Sequence, residues 1–168
     1  MQEFNDVCEY TRGLLRPRFS FGRYKIIKSD GGILELKGGY CFRSNDLVKL
    51  TSESFAVAVI ATTVGDEVND LVQKYYEQGR LFAMAVADAV SSVAVEELIC
   101  YVYSIIPKAN EITTRRVSPG YGDFELSSQD LMLRLSKGYD LGISLTENYM
   151  LIPRKSITAI VGLNEALS

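Results

Sequence analysis

The stretch from Phe55 to Thr63 reads FAVAVIATT. It is short, uncharged and β-branched at its end, the pattern of a strand buried on both faces. A chain with such a strand has to lay further structure over both of its sides. Gly65 and Asp66 then open a helix over Glu67 to Gln78, with Asp66 as N-cap and Gly79 as stop. The longest helical candidate, Leu81 to Ile105, is rich in Ala and Val and apolar on most sides. One stripe of it differs: Asp88, Ser92 and Glu96 recur every fourth residue and so share a face. That stripe reads either as the solvated edge of an otherwise buried helix or as a polar wall facing a ligand cleft.

The first third is β-like and punctuated by glycine. Phe19 to Ile27 and Ile33 to Leu36 alternate in part, and Ser29-Asp30-Gly31-Gly32 between them is a hairpin turn signal. Leu47 to Leu50 reads as a short helix or a turn. After Pro107, a polar connector runs from Lys108 to Thr114. Ser127 to Leu135 is a short helix with capping-box spacing between Ser127 and Asp130, ended by Gly138. Gly142 to Leu145, Met150 to Ile152 and Ser156 to Val161 are short strands, with Asn148 in a turn and Pro153 at an edge. Strands and helices are segregated, without regular βαβ alternation. The expectation is one α+β domain over residues 1–168, with a mostly antiparallel sheet along which Leu81 to Ile105 packs.

Composition removes whole classes of chemistry. The chain has no histidine, which excludes Ser-His-Asp and Cys-His nucleophile systems and histidine-ligated metal sites. No catalytic residue and no metal ligand is assigned. A formal net charge of -3 gives no basic excess for a phosphate backbone, so no nucleic acid is expected as partner. Cys8, Cys41 and Cys100 are far apart and form no C-x-x-C, which suits unbridged thiols in a reducing compartment. The start, MQEFNDVCEY, lacks a basic n-region and an apolar h-region. The most apolar stretch is interrupted by Asp88, Glu96 and Glu97, unlike a membrane span. A cytoplasmic protein is expected.

The most informative segment is Arg116-Val117-Ser118-Pro119-Gly120-Tyr121-Gly122. Arginine offers a planar fork of donors that pairs bidentately with carboxylate or phosphate. Pro119 fixes its own φ and biases Ser118 toward an extended shape. Gly120 and Gly122 permit unusual backbone angles, and Tyr121 supplies a ring and a hydroxyl. Such a loop could hold a small zwitterion bearing an aromatic group. A Pro-Gly turn after a strand uses the same residues.

The segment also resembles the activation (reactivation) domain of cobalamin-dependent methionine synthase, a family with an R-x-A-P-G-Y motif, then a short helix, a G-x-x-LTES segment and P-x-x-S-x-S-G. Here these read Arg116-Val117-Ser118-Pro119-Gly120-Tyr121, then Leu141-Gly142-Ile143-Ser144-Leu145-Thr146-Glu147-Asn148, then Pro153-Arg154-Lys155-Ser156-Ile157-Thr158-Ala159. With the Ala61-Thr62-Thr63-Val64-Gly65 strand end and the Ala87-Asp88-Ala89 helix, the resemblance covers Phe55 to Leu163 and leaves residues 1–54 outside it. It implies a domain that binds S-adenosylmethionine and docks over a cobalamin module to restore methylcobalamin, with a flavodoxin-type electron donor. Arg116, Ser118, Gly120 and Tyr121 match the ligand motif, Ser118 replacing the family's Ala. Thr146, Glu147, Pro153 and Ser156 match positions of structural weight. The family's carboxylate upstream of the motif arginine has Glu111 near it, out of register. Its acidic position on the long helix falls near Ser92, with Glu96 one turn later.

Two functional readings follow. In the first, the chain is a stand-alone reactivation subunit acting in trans on a corrinoid protein. It is not a complete enzyme, because the D-x-H-x-x-G cobalamin motif needs a histidine. In the second, it is an interaction subunit that keeps the fold and docks on a corrinoid or methyltransferase partner without binding S-adenosylmethionine. The family's ligand contacts beyond Leu163 are not seen here, which favours the second; the intact Arg116 to Tyr121 run favours the first. A third reading, a small-molecule enzyme with Asp88 or Glu96 as base, has no nucleophile to name.

Overall fold

In the computed structural model, residues 1–166 are described. The apolar run forms strand β4, Ala56–Thr63, and every residue of it is buried. It is flanked by β1, Arg18–Asp30, and β8, Ser156–Glu165. Both pairings are antiparallel and in continuous register, from Arg18 opposite Thr63 to Lys25 opposite Ala56, and from Ala56 opposite Leu163 to Thr63 opposite Ser156. β2, Ile33–Leu36, and β3, Tyr40–Arg43, extend the sheet beyond β1, and β5, Glu111–Thr113, closes it beyond β8. The order is β3-β2-β1-β4-β8-β5, antiparallel at each step.

Alternation along β4 sends its side chains into two different layers. Val57 and Val59, with Ile160 of β8, meet α2, Asn45–Leu50, and α5, Gln129–Ser136, in a cluster holding Phe42, Leu47, Phe124 and Met132. Ala58 and Ile60, with Ala159 and Val161, meet Ile99, Val102 and Ile106 from α4, Leu81–Ile105, and its end. Burying each Val or Ile contributes about 1.5–3 kcal/mol. A third cluster lies off the sheet, where α1, Gln2–Leu14, and α3, Glu67–Glu77, pack on the first half of α4 through Val7, Leu71, Tyr75, Ala83 and Ala87. A separate two-stranded ribbon pairs β6, Ser144–Leu145, with β7, Leu151–Ile152, and the chain is thus an α+β domain built on an antiparallel six-stranded sheet.

Several local expectations need correction. The first third is not β-like throughout, because α1 occupies its start, burying Val7, Cys8 and Thr11 on one face. The polar connector after Pro107 contains edge strand β5. Asp66 makes no side-chain cap bond; it accepts instead from Asn69 Nδ2 at 2.5 Å. The Ser127–Asp130 capping box does not form: Ser127 donates to Glu125, and Asp130 takes the Tyr139 hydroxyl at 2.6 Å. Cys8, Cys41 and Cys100 are free thiols. Among the described residues no helix is long and apolar enough to cross a membrane.

Candidate functional site

After β5 the chain stays fastened to β8. Thr114 N–H donates to Gly162 O at 3.0 Å, Gly162 N–H returns a bond to Thr114 Oγ1 at 2.9 Å, and Val117 exchanges two backbone bonds with Ile160. Ser118 Oγ donates to Thr158 O at 2.7 Å, so this hydroxyl is spent on the sheet. Then the chain turns. Gly120 has φ +96°, and its N–H reaches Phe124 O at 2.7 Å while Phe124 N–H reaches Tyr121 O at 3.0 Å. A side chain at Gly120 would touch only Leu126, so backbone angle rather than space calls for glycine here. Phe124 is buried edge-on against Phe42, with ring centroids 5.6 Å apart. Tyr121 stands at the tip of the turn, 72% exposed.

The far side of the turn is tied to α2. Asp123 accepts from Ser44 Oγ at 2.5 Å, from the Asn45 backbone N–H at 2.7 Å and side-chain amide at 3.0 Å, and from the Asp46 N–H at 3.2 Å. The Ser44 hydrogen bond leads in pulling its carboxyl down to about 2, with the Asn45 and Asp46 N–H groups adding to it. This staple sets Asp46 beside the turn, close enough that a Cβ on Gly122 would strike its carboxylate.

Between the turn and α4 lies a cleft of about 570 Å³. Arg115, Arg116, Val117, Ser118, Tyr121 and Gly122 form one side; Asp46, Glu96 and Ile157 complete the lining. The cleft is bipolar, with two guanidinium groups and two carboxylates. Arg116 Nη2 meets Glu96 Oε2 at 2.5 Å, both side chains being partly open to solvent. The polar stripe on α4 therefore divides. Glu96 faces the cleft, whereas Asp88 and Ser92 hold Lys155 Nζ at 2.6 and 2.8 Å. The Lys155 side chain is only 15% exposed.

Of the residues expected from the motif, Arg116, Ser118 and Tyr121 line the cleft, and Gly120 shapes the turn without lining it. Glu111 does not face the cleft. Arg23 grips it with two bonds of 2.7 and 2.8 Å, and this grip, with the Lys108 N–H, lowers its carboxyl below the usual range. Thr146 closes its own turn by accepting from Met150 N–H, and Ser156 bonds Thr63 between strands. Asp46, Arg115 and Ile157 were not singled out from sequence. Asp46 reaches the cleft only through the Asp123 staple, and the one local sign of that is the Ser44-Asn45-Asp46 helix start.

No protein-family model and no curated protein matches this sequence. Among solved structures, the chain is similar to one described as the MetH reactivation domain bound to AdoHcy, with a TM-score of 0.76 and 16% identity. The superposition takes in 99% of this chain, residues before Phe55 included, and 66% of that one. What such a distant likeness carries is architecture: the chain has the α+β fold of the methionine synthase reactivation domain.

Proposed function

We propose that this chain is an S-adenosylmethionine-binding reactivation module, a cytoplasmic protein serving a cobalamin-dependent methionine synthase or related corrinoid methyltransferase in trans. The observation that carries this reading is the bipolar cleft beside the Arg116–Gly122 turn, in a fold shared with a domain solved with AdoHcy. The methionine end of S-adenosylmethionine is a zwitterion next to a sulfonium cation. Arg116 and Glu96 are its complement: the guanidinium fork takes the carboxylate and the Glu96 carboxylate takes the ammonium, each exchanging its present partner for a ligand charge. Asp46 adds a second carboxylate suited to the sulfonium side, and the Tyr121 ring offers an apolar face. Ser118, held by Thr158, contributes a small side chain and its backbone. A partner's corrinoid would supply the methyl-accepting cobalt, and a flavodoxin-type donor the electron. This chain's residues bind and orient the methyl donor.

Calorimetric titration with S-adenosylmethionine tests the reading. Loss of the charge-assisted pair in Arg116→Ala removes roughly 1.5–3 kcal/mol. Affinity then falls about ten- to a hundredfold. Arg116→Lys recovers part of it, because a point charge cannot replace a fork. Tyr121→Ala costs less. Absence of binding at millimolar ligand overturns the reading. That Arg116 and Glu96 are bonded to each other is the observation favouring the second reading, an interaction subunit in which the pair only braces the turn against α4. Such a subunit gives no heat with S-adenosylmethionine but still captures a corrinoid partner.

A further inference from the structure

A hollow larger than the Arg116 cleft lies elsewhere. On the side of α4 adjoining the Asp88–Glu96 stripe, α1 and the first half of α4 leave an open groove of about 720 Å³. Cys8, Ala85, Val86, Ala89 and Val90 make its apolar lining, and Phe4 and Phe82 flank it. Phe82 and Val93 are 57% and 60% exposed, and Phe4 47%. A helix apolar on its outward as well as its inward face is one built to be covered on both. α1 and α3 cover one side of this half of α4, and nothing among the described residues covers the other.

The rim says what does. Glu9 and Arg12, three residues apart on α1, both line the groove, and neither takes part in an ion pair among the described residues. Glu3 on the same helix, by contrast, is engaged by Arg80 at 3.1 Å. A rim of one sign would select a partner of opposite charge. A rim with one charge of each sign, unpaired with each other, is complementary to itself after a two-fold rotation, which sets each Glu9 against Arg12 of a second copy. We infer that the α1–α4 groove is an isologous dimer interface, occupied by a second copy of this chain. The small residues Ala85 and Ala89 let the two α4 helices approach closely, Phe4 and Phe82 of each copy fill the other's groove, and two symmetry-related Glu9–Arg12 pairs fix the register. The inference is independent of the ligand reading, since none of the residues lining the cleft at Arg116 lines this groove.

Sedimentation equilibrium on the full chain, from about 1 to 300 μM, tests this across the range expected of a modest interface. The wild type associates to a dimer and no further, as a closed two-fold contact requires. Ala89→Arg, at an exposed position, is monomeric throughout with an unchanged circular dichroism spectrum. Glu9→Arg and Arg12→Glu each weaken the dimer about tenfold by facing like charges, and the double reversal restores it to within about threefold. A wild type that stays monomeric overturns the inference and hands the groove to another occupant. A dimer that survives Ala89→Arg overturns the placement. A double reversal no tighter than either single change overturns the two-fold register.

Discussion

Replacing Phe124 by alanine separates what the turn owes to packing from what it owes to its own hydrogen bonds. Phe124 is 1% exposed and stands in the same cluster as Leu34, Leu47, Val59, Met132 and Ile160, with its ring edge-on to Phe42. Truncating a ring in such a setting costs about 3–5 kcal/mol, from lost transfer free energy and the residual cavity together. The aromatic pair accounts for about 0.5–1.5 kcal/mol of that. For a chain of this size the melting temperature falls by about 6–20 °C. Urea denaturation followed by circular dichroism reads the change as a lower midpoint at unchanged slope. Phe124→Leu, which fills most of the space, costs less than about 1.5 kcal/mol. The backbone bonds Gly120 N–H to Phe124 O and Phe124 N–H to Tyr121 O survive in both variants, so the turn keeps its shape and loses its anchor. Tyr121→Ala, three residues away and exposed, stays within about 0.5 kcal/mol of wild type. A loss below about 1 kcal/mol in Phe124→Ala, or an equal loss in Tyr121→Ala, refutes the claim that core packing holds the turn in place.

The Asp123 staple gives a pH signature. Its carboxyl titrates near 2 in the folded protein, below the value of an unfolded chain, so its stabilisation is full above the unfolded value and fades as pH falls through about 2. Asp123→Asn is therefore less stable than wild type at pH 5, and the two converge in acid denaturation series near pH 2; curves that stay parallel contradict the staple. A side chain at Gly22 would run into the Leu135 carbonyl oxygen, part of the backbone, while one at Gly162 first meets the Ser54 hydroxyl. Gly22→Ala accordingly destabilises by about 1–3 kcal/mol and by more than Gly162→Ala in the same urea assay. For the cleft, Glu96→Gln weakens S-adenosylmethionine binding in calorimetry but leaves homocysteine-free adenosine analogues unaffected, because the lost charge faces the amino-acid end; equal losses for both probes would remove Glu96 from that role.

The parts of the fold legible in the sequence are those whose patterns are enforced along the whole element. β4 has no polar residue before Thr62, and α4 keeps its apolar composition for 25 residues, so both stand out without neighbours. α1 was missed because its buried face is only Val7, Cys8 and Thr11, and it carries exposed Phe4 and Tyr10 among charges. β3 and β5 were missed because edge strands of four and three residues draw their stability from one neighbour rather than from their own pattern. In the cleft, Arg116 and Tyr121 were legible because a turn advertises itself through Pro and Gly. Glu96 was legible only as one of a stripe, and the stripe's division between Arg116 and Lys155 depends on where β8 runs. Glu111, near the motif in sequence, belongs to Arg23, a pairing that only the sheet order brings about.

That sheet order also sets a timetable. β8 lies between β4 and β5, so β4 has its second partner about a hundred residues after itself. At synthesis rates of about 5–20 residues per second, the apolar β4 waits roughly 5–20 s with one edge bare. The segment from Thr114 to Ser118 has the longer consequence: its sheet bonds are all to β8, so until that strand emerges the turn carrying Arg116 and Tyr121 lacks its sheet support and is left with the Asp123 staple, Phe124 and the Arg116–Glu96 pair. A nascent chain can bury its first hairpin and dock α4 early, yet the cleft comes into being last, with the final strand. Newly made protein thus passes through a stage that exposes an unpaired sheet edge to chaperones and aggregation partners and has no completed cleft.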